Sequence, residues 1–330
     1  MLAERLTAQL LAGPPARDPV AVADRLLAIQ AQDPRGARLA VRARTSGLAA
    51  ADVDRALTDE RSLVVTWLNR GTLHLVRSED YAWLHALTAP AQVTGTLRRL
   101  RQNGVSPDAA ERGVAAVERA LAGEGPLTRP ALRDRIAAAD VPTSGQALVH
   151  LLALASLRGL VVRGPMVGKQ HAYVLVRDWL GEPACIDRGH ALGELARRYL
   201  AGHAPADDRD LAKWAGIPLR DARAGLAAVS ERRPRRRRRA ELPPPKLLGA
   251  FDPVLLGWAS REPVVGRDER AIVAGGLFRP FLLVRGRAAG TWNLVDGEVV
   301  LEPFGRLASS DRSALEADAK DVVRFLHLEQ

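Results

Sequence analysis

The chain has 330 residues, of which 47% are apolar and 26% charged; this is enough for about two domains of ordinary globular composition and excludes wholesale disorder or a collagen-like repeat. The longest apolar run, residues 147–157, falls short of the roughly 20 residues that cross a bilayer, so we expect no membrane span. The net charge of +10 favours a polyanionic partner, most often nucleic acid, although +6 of it lies between Glu231 and Lys246.

Neither the cysteine nor the histidine content indicates a metal site. Cys185 is the single cysteine, and the seven histidines do not cluster at the spacing of metal ligands, so we expect no metal and no cofactor. Glu4 stands where a signal peptide has basic residues, and Gly13-Pro14-Pro15 ends any long apolar stretch near the N-terminus. We therefore expect a cytoplasmic protein.

The first hundred residues predict two helices followed by a β-hairpin. Asp18-Pro19 is a helix start, because aspartate caps a helix and proline suits its first position, and this helix is expected to end at Gln30. The later elements of this region are a short helix over 52–57 and two strands, 63–68 and 72–76, on either side of Asn69-Arg70-Gly71.

The middle third repeats the pattern. Ser106-Pro107 caps the first of three predicted helices; the second follows Thr128, and the third starts at Thr143-Ser144-Gly145. Strands 160–163 and 172–176 flank a predicted loop over 164–169, which gives a helix-turn-helix with a β wing. The third helix presents Leu148, Leu151, Leu152 and Leu154 and few polar residues, so we expect it to pack as core rather than to read base edges.

A third copy precedes a change in character. Helices are predicted over 192–200, 207–214 and 218–229, with the arginine run 235–239 as a wing or a solvated linker. After Pro243-Pro244-Pro245, β-like runs lie at 272–278, 281–284, 291–295 and 299–303. We predict an α+β fold of three tandem winged helix-turn-helix modules followed by a small, barrel-like β-rich domain. The expected bounds are 1–100, 101–184, 185–242 and 243–330.

The segment Gln30-Ala31-Gln32 has two interpretations. In the simpler one, two polar side chains end a helix. In the other, Pro34 forces Asp33 out of the helical region, the segment is extended, and both glutamine amides project to one side and face one site. Asp33 is either a turn residue, the interpretation we favour, or a catalytic base.

Four ordered stretches together resemble the AlkZ/YcaQ family of winged-helix DNA glycosylases. They are residues 27–34, 66–75, 250–258 and 290–292. The resemblance implies three winged helices and a β-domain, with Gln30 and Gln32 as the catalytic Gln-Φ-Gln motif. The family's two branches differ at the second motif position, which is glutamine in the AlkZ-like branch and aspartate in the other. With Gln32, this chain resembles the AlkZ-like branch. The AlkZ-like branch resembles self-resistance enzymes that unhook bulky or cross-linking alkyl lesions.

The implied chemistry needs no carboxylate base. An N7-alkylated purine is cationic and already a good leaving group, so the enzyme must hold a water against C1′ and stabilise an oxocarbenium-like transition state. We assign this role to Gln30 and Gln32. Since no lysine is suitably activated for a Schiff base, we expect a monomeric, monofunctional DNA glycosylase that hydrolyses cationic N7-alkylpurines in double-stranded DNA. We expect this cytoplasmic protein to associate with the nucleoid.

Eight residues are candidates for DNA contact: Arg70 and His74 on the first hairpin, Lys169, Gln170 and His171 on the second wing, and Arg235, Arg236 and Arg237 in the arginine run. Each set has another interpretation. His74 is also typical of a buried core histidine whose ring nitrogens are hydrogen-bonded, and this is the interpretation that we favour. Lys169, Gln170 and His171 are also typical of a solvated loop.

Two other functions remain open from the sequence. A non-catalytic winged-helix regulator would give a specific operator footprint. A winged-helix scaffold that binds a small-molecule antibiotic would bind the drug without DNA.

Overall fold

A computed structural model describes residues 1–182, 187–229 and 240–327. Within these ranges no helix combines the length and the apolarity that a membrane span requires. The chain divides into two compact units, each assembled from separate pieces of sequence. The first unit contains Met1–Val53, Leu192–Trp214 and Pro218–Gln330; the second contains Asp54–Ala191 and Ala215–Ile217.

Helices and strands occur in both units, so the fold is mixed α+β as predicted. The helices are α1 (Leu2–Ala8), α2 (Pro19–Leu26), α3 (Pro34–Arg42), α4 (Ala50–Thr58), α5 (Tyr81–Thr88), α6 (Pro90–Gln102), α7 (Pro107–Glu124), α8 (Arg129–Ala137), α9 (Ala147–Leu157), α10 (Val176–Trp179), α11 (Arg188–His203), α12 (Asp208–Ala215), α13 (Leu219–Val229), α14 (Pro253–Leu256), α15 (Glu262–Val265), α16 (Glu269–Ile272) and α17 (Ser309–Phe325). The strands are β1 (Ile29–Gln30), β2 (Leu63–Leu68), β3 (Thr72–Arg77), β4 (Leu127–Thr128), β5 (Val161–Val167), β6 (Gln170–Leu175), β7 (Lys246–Leu248), β8 (Val273–Ala274), β9 (Leu277–Phe278), β10 (Phe281–Val284), β11 (Arg287–Val295) and β12 (Glu298–Pro303).

The helix before the glutamine pair is shorter than the sequence predicts. Asp18 caps α2 by accepting a hydrogen bond from the Ala21 amide at 2.7 Å. The helix ends at Leu26, because Leu27 has a left-handed φ of 65° that leaves the helical path while its side chain stays fully buried. The prediction that this helix reaches Gln30 is therefore wrong by about one turn.

Five strands of the second unit lie in the order β3-β2-β5-β6-β4. β2 and β3 form the predicted hairpin, with Thr66 opposite His74, and β2 meets β5 where Val65 pairs with Arg163. The core of this unit gathers side chains from α7, α8 and α9 together with Tyr173 of β6. α9 buries its leucines there, so the prediction that it is a core helix is confirmed.

The second wing has a tighter turn than predicted. The sequence led us to expect a loop over 164–169, but β5 continues to Val167 and β6 begins at Gln170. The pairing register shifts between Arg163 and Met166, which is a bulge that accommodates Gly164 and Pro165 inside a strand. The loop prediction is therefore wrong, and the turn is confined to Gly168-Lys169.

The sheet of the first unit has the strand order β12-β11-β10-β7, and α17 packs against it. Leu315, Val322 and Phe325 of α17 are buried with Leu282 and Trp292 of the sheet. The sequence predicts a small β-rich domain here, and this 17-residue helix was not part of that prediction.

One predicted strand of the first unit is a small hairpin instead. The run over 272–278 turns back on itself, with Val273 opposite Phe278 and Ala274 opposite Leu277. Gly275 and Gly276 form the turn with φ values of 58° and 84°, which favour glycine at both positions. The prediction of one strand is wrong because this glycine pair reverses the chain.

α11, α12 and α13 match the helices predicted for the third copy. Its predicted wing, Arg235 to Arg239, lies outside the described residues. The number of winged-helix modules and the four predicted domain bounds stay predictions.

Candidate functional site

The glutamine pair lies in the connection between α2 and α3. Ala28, Ile29 and Ala31 are buried, Gln30 is 7% exposed, and the Gln32 side chain is exposed. None of residues 28–33 is helical. Side chains two residues apart therefore escape the roughly 200° divergence that a helix would impose. The local backbone supports the interpretation in which both amides serve one site.

Asp33 caps the helix that follows the pair. Its Oδ1 accepts a hydrogen bond from the Arg35 amide at 3.0 Å, and Pro34 occupies the first position of α3. The carboxylate is therefore engaged in ending the connection and starting a helix. These contacts favour the turn-residue interpretation of Asp33 over the catalytic base.

A close backbone contact holds the start of α3. A Cβ on Gly36 would lie 2.3 Å from the carbonyl oxygen of Ala250, so only glycine permits this approach. The chain from Gln32 into α3 is thereby fixed against residues more than two hundred positions away in sequence.

Two buried guanidinium groups hold the far end of α3. Arg44 is fully buried and makes a bidentate pair with Asp252, at 2.8 and 2.9 Å, and also donates to Gln9. Arg42 pairs with Asp318 and Asp321 of α17, both at 2.9 Å. Burial lowers the pKa of Arg42, but the two carboxylates outweigh it and raise that pKa, so the group stays a cation.

Arg70 lies in a constrained turn of the second unit. It has a left-handed φ of 57°, and a Cβ on Gly216 would lie 2.8 Å from its amide nitrogen. The Thr72 hydroxyl donates to the Asn69 carbonyl at 3.1 Å and closes the turn.

His74 is a buried, neutral histidine. It is 2% exposed, and its Nδ1 lies 3.0 Å from the Thr72 carbonyl oxygen, a distance at which the ring nitrogen donates. Burial, reinforced by the charge of Arg70, lowers the pKa of His74 to about 3. A neutral ring with this little exposure does not bind phosphate, so the core interpretation of His74 is favoured.

The structure does not bring the two sets of DNA-contact candidates together. Lys169 and Gln170 are exposed at the tip of the second wing, with His171 half-buried beside them. Because β5 runs antiparallel to β2, this tip and the Asn69-Arg70-Gly71 turn lie at opposite ends of the sheet, about 30 Å apart at 3.3 Å per residue. Arg235, Arg236 and Arg237 lie outside the described residues.

The profile of the AlkZ-like family, described as DNA glycosylase AlkZ-like, matches residues 23–325. This chain belongs to the AlkZ-like DNA glycosylase family. The chain is also 29% identical to the interstrand DNA cross-link repair glycosylase of Streptomyces sahachiroi, over 92% of this chain and 89% of that protein. The solved structure of the Streptomyces sahachiroi DNA glycosylase AlkZ superposes with a TM-score of 0.78 at 25% identity, covering 98% of this chain and 95% of that one.

Most of the residues in the four stretches that resemble the AlkZ/YcaQ family hold the protein's scaffold together. Trp258 donates to the His203 carbonyl at 2.8 Å, Trp292 donates to the Leu248 carbonyl at 2.9 Å, and β2 is buried throughout. Of the four stretches, the one over 27–34 contains the exposed Gln32 and, two residues before it, the buried Gln30. The candidate active site of the AlkZ-like chain therefore rests on Gln30 and Gln32.

The sequence analysis missed a group of buried polar atoms on the first hairpin. Thr66 Oγ1, Trp67 Nε1 and both amide atoms of Asn69 are buried without a hydrogen-bond partner among the described residues. Such atoms are uncommon, because an unsatisfied buried polar group costs free energy. The signal available in the sequence was a threonine inside an otherwise apolar strand and an asparagine directly after it.

Proposed function

We propose that the chain is a monofunctional DNA glycosylase that hydrolyses the N-glycosidic bond of cationic N7-alkylpurines. The observation that carries the proposal is the uncharged glutamine pair in a non-helical connection whose following helix is fixed by buried contacts. Family membership and the match to a DNA glycosylase over most of both chains support it.

The glutamine pair acts on water and on developing charge. An amide both accepts and donates hydrogen bonds, so Gln30 and Gln32 orient one water toward C1′ as the bond to the purine lengthens. The positive charge of the alkylated purine supplies leaving-group activation before binding. Because a neutral amide is a feeble base, undamaged nucleotides are poor substrates for this site, which limits attack on normal DNA.

The substrate class extends to bulky and cross-linked adducts. The Streptomyces sahachiroi relative is named for the repair of interstrand DNA cross-links. We propose that this chain shares that class of lesion, as part of DNA repair or of self-resistance to genotoxic natural products, and works in the cytoplasm on nucleoid DNA.

A sequence-specific regulator is the weaker candidate. The helix that would read the major groove in the second module is α9, and it buries nine of its eleven residues. A helix with so little free surface offers few polar groups to base edges.

The test is base release from a duplex that carries one N7-methylguanine, with hot alkali to cut the resulting abasic sites. We expect Gln30→Ala and Gln32→Ala each to slow single-turnover excision by about a hundredfold or more, the size of effect that loss of one transition-state hydrogen bond produces. Gln102→Ala, which removes an exposed amide at the end of α6, is the matched control and keeps the parent rate.

DNA binding by each variant is measured in parallel. Unchanged excision by both glutamine variants with unchanged binding contradicts the catalytic assignment. If the parent protein excises neither N7-methylguanine nor a nitrogen-mustard cross-link, the glycosylase proposal itself is wrong.

A further inference from the structure

Helix α6 of the second unit carries charge of one sign only. Its thirteen residues include Arg98, Arg99 and Arg101 but no aspartate or glutamate. All three arginine side chains are exposed. Leu97 and Leu100 of the same helix pack into the core of the unit, so the arginines are left on the solvent side. We call these three arginines the α6 patch.

The α6 patch has no carboxylate partner. Among the described residues, the ion pairs of this unit engage other arginines, and none of them includes a residue of α6. The helix dipole favours cations in the last turn, which accounts for Arg99 and Arg101 but not for Arg98 one residue earlier. The three charges are therefore available to a ligand.

The positive surface continues to the start of α9. A Cβ on Gly145, in the loop before this helix, would lie 3.9 Å from the side-chain oxygen of Asn103 at the end of α6. Gln146 precedes α9 without capping it, so its side chain leaves the free amides at the positive end of the helix dipole uncovered. Burial lowers the pKa of His150 in the first turn, and the charge of Arg99 lowers it further, with no carboxylate opposing. The potential beside the α6 patch is therefore positive on the α9 side as well.

The shape of the α6 patch suits a repeating anion. Residues three positions apart on a helix, such as Arg98 and Arg101, have Cβ atoms about 5–6 Å apart, and two long side chains at that spacing can reach successive phosphates of one strand. Duplex DNA presents one negative charge per about 1.7 Å of its axis. Two other exposed residues of this helix, Ala91 and Thr94, are small and offer little to base edges in a groove. The α6 patch therefore matches the DNA backbone rather than a base sequence.

We infer that the α6 patch binds the phosphates of duplex DNA whether or not a lesion is present, and so retains the protein on undamaged DNA. This inference rests on the proposed glycosylase function, which makes duplex DNA the partner. Phosphate contacts by arginine position a protein without reading sequence. None of the eight residues that the sequence suggested for DNA contact lies on α6, so these contacts are additional to them.

The test is the salt dependence of binding to a short undamaged duplex, measured by fluorescence anisotropy between about 50 and 200 mM salt. Each phosphate contact contributes about 0.9 to the slope of log affinity against log salt. We expect Arg98→Ala/Arg101→Ala to reduce this slope by about 1.8 and to weaken binding at the lower salt roughly tenfold or more. Arg98→Lys/Arg101→Lys keeps the parent slope, because counterion release depends on charge.

Arg133→Ala/Arg135→Ala is the matched control. It removes the same charge from exposed positions of another helix in the same unit, α8, where the two arginines are paired with Asp134 at 3.2 Å and with Glu124 at 2.7 Å. Because a paired arginine already has a counterion within the protein, this variant keeps the parent slope. Urea titrations check that every variant is folded.

Two outcomes overturn the α6 patch directly: a parent slope in Arg98→Ala/Arg101→Ala, or an equal reduction in the α8 control. An unchanged DNA slope together with lost binding to poly-glutamate would indicate an acidic protein as the partner and overturns it as well. Failure of the parent to excise any lesion instead overturns the proposed function, and the slopes, which are measured without excision, still decide the patch.

Discussion

At the scale of single residues, Asp33 shows how contacts decide between roles that sequence leaves open. A carboxylate directly after the candidate glutamine motif is a natural candidate for a general base. Its Oδ1 is, however, the cap of α3, accepting from the Arg35 amide at 3.0 Å. A capping oxygen accepts hydrogen bonds from the free amide groups at the helix start, and the side-chain oxygen of asparagine does this equally well.

We therefore expect Asp33→Asn to excise N7-methylguanine within about twofold of the parent rate, since asparagine caps a helix as well as aspartate does. Asp33→Ala should lower the free energy of unfolding by about 1 kcal/mol, measured in urea. A hundredfold rate loss in Asp33→Asn, with stability unchanged, would identify Asp33 as the base after all.

Gly36 gives a second prediction at this scale. Gly36→Ala places a methyl group 2.3 Å from the Ala250 carbonyl oxygen, so backbone must move, and we expect a loss of about 2 kcal/mol in unfolding free energy together with slower excision. Gly95→Ala is the control: its Cβ meets nothing within 4 Å in α6, and it should stabilise the protein by about 0.5 kcal/mol. Equal effects of the two substitutions would contradict the close contact at Gly36.

The sequence points to the candidate residues through different signals. Gln30 and Gln32 are candidates because four ordered stretches resemble a known family, and the non-helical Asp33 follows from the restriction that Pro34 places on the residue before it, whereas helix α3, which begins at Pro34, was not predicted. The end of α2 could not be predicted, because Leu27 adopts a left-handed φ that leucine avoids unless the surrounding core fixes it. A core position for His74, by contrast, was the interpretation that the sequence favoured, and its side chain is 2% exposed.

At the scale of elements, α17 is the part of the fold that sequence missed, and it stabilises the site from a distance. Its buried apolar residues, Leu315, Val322 and Phe325, lie seven and three positions apart, which is helical spacing, so the segment carried a helical signal that the prediction of a β-rich domain overlooked. The same helix supplies the carboxylates that pair with Arg42 at the end of α3.

Removing one of these carboxylates should lower the free energy of unfolding substantially. Asp318→Ala weakens the pairing of the buried Arg42 guanidinium and also removes the acceptor of the Leu247 amide, so we expect a loss of about 3 kcal/mol in unfolding free energy. Asp311→Ala on the same helix breaks a pair whose arginine is 73% exposed and should cost less than about 0.5 kcal/mol. Comparable losses from both, in parallel urea titrations, would show that the Arg42 pair is not the stabilising one.

At the scale of the whole molecule, each unit contains a histidine that stays neutral. Burial lowers the pKa of His74 in the second unit and of His203 in the first to about 3. His203 is stacked on Tyr199, and the charges of Arg44 and Arg5 lower its pKa further. In the unfolded chain the two imidazoles bind protons near pH 6.5, whereas in the folded chain they do so only near pH 3. Their contribution to the free energy of unfolding is therefore fully present above pH 6.5 and is lost as the pH falls toward 3.

We predict that the free energy of unfolding falls steeply as the pH is lowered, and that His203→Gln makes this fall less steep. Between pH 6 and 4 the unfolding free energy of this variant should fall less steeply than that of the parent, by about 1 kcal/mol per pH unit. His190→Gln, at an exposed position, is the control and should keep the parent slope. Identical slopes for all three proteins would mean that His203 is charged in the folded state.

The α+β class could be predicted at this scale, but the division into units could not. Periodicity and turn residues indicate elements and their order along the chain. They carry no signal for the pairing of Gly36 with Ala250 or of Arg42 with Asp318, because those contacts join distant parts of the sequence. The predicted modules are sequential, whereas the first unit is assembled from three separate pieces.

That assembly sets the order in which the protein matures during synthesis. Nearly all of the second unit, Asp54–Ala191, leaves the ribosome as one continuous stretch and can fold while translation proceeds. The first 53 residues, which include both glutamines, must wait for Ala250, Asp252 and Asp318 to emerge before α3 acquires its buried partners. A nascent chain that stalls before these residues therefore carries the candidate glutamine pair without these buried contacts, and we expect it to lack base-excision activity.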